Sequence, residues 1–153
     1  MPPTIFTKNL QKIYTFHKKY KKVVLKPIDG YAGKEILFLN KKLDKNKINK
    51  YLSRKGHVMV QKFLPQVEQG DKRVFIINGR VYGAIKRIPK KNSILSNLSQ
   101  GGKATSTELN YRENKISKIV AKDLLKNKIY FAWIDFVAGY LIGDINVTSP
   151  TGL

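Results

Sequence analysis

The stretch "IDFVAGYLIGDINV", Ile134 to Val147, places two aspartates inside the most apolar part of the chain. Apolar residues flank a central Ala138–Gly139 pair, which reads as a tight turn joining two strands. With a two-residue turn, Val137 pairs with Tyr140 and Asp135 with Ile142. Side chains alternate along a strand, so positions 142, 144 and 146 share the face of Asp135. Asp135, Asp144 and Asn146 then project three oxygen donors from one side of one hairpin. A buried carboxylate is costly unless it is paired or metal-bound. Two carboxylates and an amide suit Mg²⁺ held together with the phosphates of a nucleotide. The alternative is that both aspartates pair with lysines at the rim of a sheet.

Upstream, "VVLKPIDGYAGKEILFL" (Val23 to Leu39) has an apolar run ending in Lys26, a loop containing Gly30 and Gly33, and a second apolar run. Glycines permit positive φ and close backbone approach, so their N–H groups can face a phosphate while the lysine adds a point charge. An ordinary hairpin turn with an exposed lysine has the same appearance, and the stretch matches neither a Walker A loop nor GxGxxG. Arg73 and Arg87 lie on the two arms of a second hairpin signal, Asn78–Gly79. A guanidinium there can grip phosphate or carboxylate bidentately, or simply face solvent.

Around these motifs the pattern is mixed. Helices are expected over Thr7–Tyr20, over Asp44 to Gly56 (with Ile48, Tyr51 and Leu52 inward), and over Glu108–Lys126. Strands are expected at 23–25, 36–39, 58–63, 73–77, 80–87, 129–137 and 140–147. "LPQVEQGDK" reads as a polar connector, and "PKKNSILSNLSQGGKATS" as a long functional loop. The class is α+β.

The chain has 153 residues, 42% of them hydrophobic, enough for one domain or two small lobes. It has no cysteine, which excludes a thiolate metal site, a disulfide framework or a cysteine nucleophile within it. The first residues, "MPPTIFTKN", lack an apolar signal region, and the apolar run 129–143 contains Asp135 and is too short to span a bilayer. A cytoplasmic protein without membrane partners is expected. The net charge of +20 invites a nucleic-acid reading, but 25 of the 30 basic residues are lysines spread along the whole chain. Clustered arginines with interleaved aromatics are missing, which argues against nucleic acid as the main ligand.

Read in order, these pieces resemble the ATP-grasp domain of bacterial-type glutathione synthetase. "VVLKPIDGYAG" resembles that family's ATP lysine and small glycine loop. "MVQKFLPQVEQGDKRVFIINGRV" resembles its interlobe strand and Gly-Asp-Lys-Arg segment, and "RIPKKNSILSNLSQGG" its mobile lid. "IDFVAGYLIGDINVTSPTG" resembles its metal-binding hairpin and Asn-Val-Thr-Ser-Pro-Thr loop. The resemblance runs from about Thr4 to Leu153.

It implies an ATP-grasp fold, two α+β lobes clamping Mg-ATP: a leading helix or linker over 1–21, a small lobe over 22–65, and a large lobe over 66–153 with a lid at 88–104 and a metal hairpin at 129–147. It implies a ligase that joins γ-glutamylcysteine and glycine at the cost of ATP, with Mg²⁺ or Mn²⁺ as cofactor. By position, Lys26 and the loop of Gly30 and Gly33 meet phosphates. Gln61, Lys62, Phe63 and Leu64 line the adenine slot, and Asp71 holds the ribose. Arg73 and Arg87 face the phosphoryl and acyl-phosphate groups, and Asp135, Asp144 and Asn146 hold the metal. The family's N-terminal substrate domain and C-terminal helix have no counterpart here, which suggests a fragment: part of a ligase, or a nucleotide-binding module without catalysis of its own that a separate chain completes; the family's oligomers suggest a homo-oligomer. Asp144 stands where the family has glutamate, with one extra residue before it. In the lid, Leu95 and Ser93 replace a common arginine and glutamate.

Overall fold

Nine strands and three helices are described in a computed structural model that covers residues 1–30, 35–89 and 103–147, with the side chains of positions 143 and 144 not described. The chain divides into two units, Pro2–Phe63 and Leu64–Leu153.

In the first unit, β1 (Thr4–Thr7), β2 (Val23–Pro27), β3 (Leu37–Leu39) and β4 (Val58–Lys62) form an antiparallel sheet in the order β1-β4-β2-β3. Helices α1 (Leu10–Tyr20) and α2 (Lys45–Lys55) supply Ile13, Phe16 and Ile48 to a core with Val23, Leu25, Leu37, Leu39, Val58 and Val60. All six of those strand residues lie on one face. The opposite face carries Phe6, Val24, Lys26, Phe38, Met59 and Gln61, as the pairings Phe6↔Met59, Val24↔Phe38, Val24↔Gln61 and Lys26↔Met59 require. Asp44 caps α2 by accepting from the Lys47 amide, and Gly56 ends it at φ 65°, as the sequence predicts.

The leading segment departs from expectation. The helix begins at Leu10, not Thr7, because Asn9 is its cap and accepts from the Lys12 amide. Thr4–Thr7 is instead an edge strand on β4, so residues 1–21 contribute a strand and a core helix to the sheet of this unit and are not a linker.

In the second unit, a short 3₁₀ turn at Pro65–Gln69 leads into β5 (Asp71–Ile77) and β6 (Arg80–Ile88). After them come β7 (Lys103–Ser106), α3 (Tyr111–Lys126), β8 (Phe131–Val137) and β9 (Tyr140–Asn146), and the sheet order is β7-β6-β5-β8-β9. Both predicted hairpin turns are present, with φ positive at each central residue: Asn78 (47°) and Gly79 (72°), Ala138 (48°) and Gly139 (75°). Val74, Ile76, Ala132, Ile134 and Phe136 bury one face of the sheet against Ala121 and Leu124 of α3.

Helix α3 starts three residues later than expected. Asn110 and Glu113 form a reciprocal capping box, and Glu113 also holds Lys72 of β5 at 2.8 Å. Residues 103–106, expected in the long loop, form the edge strand β7 on β6. The lid expected at 88–104 otherwise lies mostly outside the described residues.

Candidate functional site

On β5 and β8 the even-numbered residues pack on the side of α3, and the odd-numbered face carries the charged residues Asp71, Arg73 and Asp135. Cross-strand register brings the polar residues together: Asp71 stands opposite Arg87, and Arg73 opposite Asp135. Arg87 donates through Nε to Asp71 Oδ1 at 2.7 Å and through Nη2 to Asp71 Oδ2 at 2.8 Å. The same Nη2 donates to Asp135 Oδ2 at 2.9 Å. Arg73 grips Asp135 with both prongs, Nε to Oδ1 at 2.9 Å and Nη2 to Oδ2 at 2.8 Å. Its guanidinium lies 3.9 Å from the ring centre of Trp133, a cation–π stack that fixes its plane.

Asp71, Arg87 and Asp135 are 7%, 3% and 4% exposed, so these three members of the network are removed from water, and Arg73 is partly buried. Burial pushes the Asp71 carboxyl above its ordinary 3.8, against the hydrogen bonds and charge of Arg87. Burial alone would lower Arg87, but the charges of Asp135 and Asp71 outweigh it and hold the guanidinium protonated. Among the described residues the network takes three of the five donors of Arg87 and two of those of Arg73. The remaining N–H groups stay in fixed places, which is what an oxyanion-binding guanidinium requires.

The hairpin expected to hold a metal forms, with a register change. Val137 pairs with Tyr140 as expected and Phe136 with Leu141, but Ile134 pairs with Ile145 and Trp133 with Asn146. The register therefore moves by two residues around Asp135, and Asp135 faces the bulged stretch 142–144 rather than Ile142 alone. Asn146, opposite Trp133, shares the face of Trp133 and Asp135. The Asp144 side chain lies outside the described residues. Asp135 is paired with arginines, not with lysines at a rim. A carboxylate has about four acceptor sites; three of those on Asp135 are in use. The remaining site, together with Asn146 on the same face, fits an oxygen-liganded cation such as Mg²⁺. No cluster of three or more acidic, His or Cys side chains occurs among the described residues.

The nucleotide residues predicted in the first unit divide by face. Lys26 and the buried Gln61 lie on the face away from the helices, and Gln61 Nε2 donates to Thr4 Oγ1 at 2.9 Å. Phe63 packs against Phe38 with tilted rings, 4.8 Å between centroids, adding an aromatic wall to that face. Lys62 points the other way, its Nζ 5.9 Å from the Tyr20 ring of α1, so at this position only the backbone belongs with Gln61. Gly30 donates its N–H to Pro27 O at 3.4 Å in the turn after β2. Gly33 lies outside the described residues, and Leu64 caps the 3₁₀ turn that opens the second unit.

Sequence reasoning did not single out Trp133, the platform under Arg73. Its signal was present: it precedes Asp135 by two positions on a strand and so shares that residue's face.

Residues 1–153 match the family described as prokaryotic glutathione synthetase, ATP-grasp domain. The chain belongs to this family. Glutathione synthetase of Thermosynechococcus vestitus is 36% identical over 156 residues, covering 100% of this chain and 49% of that protein. Glutathione synthetase of Prochlorococcus marinus subsp. pastoris is 38% identical, covering 100% and 50%. The chain thus spans about half the length of the curated relatives it matches. Among solved structures, D-cycloserine synthetase DcsG superposes with a TM-score of 0.75 at 17% identity, over 98% of this chain and 58% of that one. ATP-grasp ligase PsnB, complexed with a phosphomimetic variant of minimal precursor, Mg and ADP, gives 0.74 at 18% identity, over 98% and 46%. At these identities the likeness establishes the fold, which is ATP-grasp. Among the described residues, no helix is long and apolar enough to cross a membrane.

Proposed function

We propose that this chain is the ATP-grasp portion of an ATP-dependent carboxylate–amine ligase of the glutathione synthetase type. The reaction converts γ-glutamylcysteine, glycine and ATP to glutathione, ADP and phosphate. The observation that carries this reading is the family match along the whole chain, at 36–38% identity to glutathione synthetases.

On this reading each of the predicted residues takes a role. Lys26, with the loop of Gly30 and Gly33, contacts phosphates. Gln61, the Lys62 backbone, Phe63 and Leu64 take the adenine. Asp71 keeps acceptor sites beyond the two that Arg87 occupies, and one of these receives a ribose hydroxyl. Arg73 and Arg87 turn their remaining N–H groups to the transferring phosphoryl group and to the acyl phosphate formed on the cysteinyl carboxylate. The buried carboxylates hold both guanidiniums in place before substrate arrives, so little reorganisation is left for the reaction. Asp135, Asp144 and Asn146 would hold Mg²⁺, or Mn²⁺ in its place. When bound, the ion neutralises negative charge on the phosphates. The amine of glycine then displaces phosphate from the acyl phosphate, and the peptide bond forms.

This reading places the protein in the cytoplasm, where ATP is available, and requires the remaining substrate-binding surface from a further domain or a second chain. A thermal-shift titration tests it. Mg-ATP should raise the melting temperature of the 153-residue chain, and Lys26→Ala should abolish the rise. An unchanged rise in the variant removes Lys26 from the phosphate site, and no rise in the wild type rejects nucleotide binding.

A further inference from the structure

On β8, Trp133 stands two positions before Asp135, so both side chains leave the same face of the sheet. Arg73 stands opposite Asp135 on β5, which makes Arg73 and Trp133 diagonal neighbours across the strand pair, within reach of a long side chain and an aromatic ring. The guanidinium carbon of Arg73 lies 3.9 Å from the centre of the Trp133 ring, and the tryptophan is 4% exposed.

The two guanidiniums of the network are held differently. Among the described residues Arg87 meets two carboxylates, Asp71 through two hydrogen bonds and Asp135 through one. Arg73 meets one carboxylate, Asp135. The Arg73 side chain is also the more open of the two, 15% exposed against 4%. A bidentate pair with a single carboxylate fixes a guanidinium within their shared plane but leaves it able to tilt about that edge. The ring face of Trp133 blocks the tilt. It does so without negative charge: a second carboxylate here would neutralise the guanidinium and repel an incoming phosphate, whereas an indole holds the cation through its ring quadrupole. Nε and one N–H of Nη2 are committed to Asp135. The outer N–H of Nη2 and the pair on Nη1 are the donors that the fixed plane aims.

Resting on the nucleotide reading, under which Arg73 faces the transferring phosphoryl group, we propose that Trp133 is a positioning residue for phosphoryl recognition. Its ring holds the Arg73 guanidinium in the plane from which the remaining N–H groups meet the terminal phosphoryl group of ATP. In this role Trp133 itself touches no substrate. Its effect runs through Arg73 and falls on ligands that carry the terminal phosphoryl group.

Calorimetric titration of the intact chain with Mg-ATP and with Mg-ADP tests the role. Trp133→Leu keeps an apolar side chain and removes the ring. It should weaken Mg-ATP binding by about tenfold, the size of a desolvated cation–π contact, and Mg-ADP binding by less than about twofold, the scatter expected of independent sites. Trp133→Phe restores a ring face and should recover most of the loss. Added to Arg73→Met, Trp133→Leu should cost less than about a further twofold in ATP affinity, because its partner is already gone. A ring that only fills space would lower the two affinities together and would do so with or without Arg73. The wild type supplies a readout that stands even if the leucine variant does not fold. Trp133 is the single tryptophan, so its emission reports the charge over its face. That emission should change when Mg-ATP brings an anion onto Arg73 and stay nearly constant with Mg-ADP. Equal losses for ATP and ADP, an undiminished loss in the Arg73→Met background, or equal emission changes with both nucleotides would overturn the proposal while leaving the nucleotide reading intact. A wild type that binds neither nucleotide would reject that reading and this role with it.

Discussion

Replacing Arg87 by methionine tests whether the network on the second sheet is a poised charge assembly or an incidental ion pair. Methionine keeps the length and apolar stem of the side chain and removes every donor. Asp71, 7% exposed, then loses both of its hydrogen bonds, whereas Asp135 keeps its bidentate contact with Arg73. An orphaned buried charge costs about 3–5 kcal/mol, against about 0–1 kcal/mol for an exposed pair. That is a large fraction of the roughly 5–15 kcal/mol that holds a domain folded. The double variant Arg87→Met with Asp71→Leu removes the orphan as well, and should recover to within about 1 kcal/mol of wild type.

The same variant should acquire a pH dependence. Burial already raises Asp71 above 3.8 with Arg87 present, and without Arg87 the two opposing contributions vanish and the carboxyl rises further. Between the ordinary value and the raised one, the folded state holds a proton that the unfolded state has released. Stability therefore falls as pH rises through that window, and the deficit of Arg87→Met should shrink on acidification from neutral pH. Urea unfolding followed by the fluorescence of Trp133, the single tryptophan, reads this unit directly. A deficit under about 1 kcal/mol, or a double variant as unstable as the single one, refutes the reasoning.

Three further outcomes are expected. The Tyr51 hydroxyl shares its one proton between the carbonyls of Glu35 (2.7 Å) and Leu25 (3.2 Å), and burial, followed by the charges of Glu35 and Asp29, pushes it up to about 12. Its contribution to stability should be complete below pH 10 and decline as pH rises from about 10 to 12, a slope that Tyr51→Phe should flatten in alkaline unfolding curves while costing about 1–2 kcal/mol at neutral pH. Gly70 has φ 98°, and an added Cβ would lie 2.3 Å from the Arg87 carbonyl oxygen. Gly70→Ala should lose at least about 1–3 kcal/mol in chemical denaturation, whereas Gly83→Ala, with nothing within 4 Å, should stay within about 0.5 kcal/mol. Asp144→Asn should weaken ATP binding only when Mg²⁺ is present and leave the fold intact, and equal Mg²⁺ dependence in calorimetry of variant and wild type would remove Asp144 from the metal site.

Local chemistry was readable from sequence wherever one or two residues decide the backbone. Asn78–Gly79 and Ala138–Gly139 announce turns with positive φ, and Asp44 and Gly56 bracket α2. The start of α3 was equally local, but Glu108 was preferred over the capping pair Asn110 and Glu113. Strand β1 was not local in this sense. "TIFT" is four residues long, and its extended state rests on pairing with Val58–Gln61, more than fifty positions away. The arginine–aspartate network was half legible. Asp71 and Arg73 alternate on β5 and must share a face, but which carboxylate meets which guanidinium depends on register across β6, β5 and β8, including an irregularity between Phe75 and Ile76.

The hairpin of Asp135 shows why such counting matters for chemistry. Extending the Ala138–Gly139 turn in simple register gives the wrong partner for Asp135, yet the right face for Asn146. The bulge moves the register by two residues, and since side chains alternate with period two, an even shift returns Asn146 to the side of Asp135. A shift of one would have turned Asn146 to the side that packs on α3, where its amide would lie among Val74, Ile76 and Ile134. The two additional residues of β9 are thus absorbed within Ile142–Asp144, upstream of Asn146, and the face that carries Arg73, Asp135 and Asn146 stays whole.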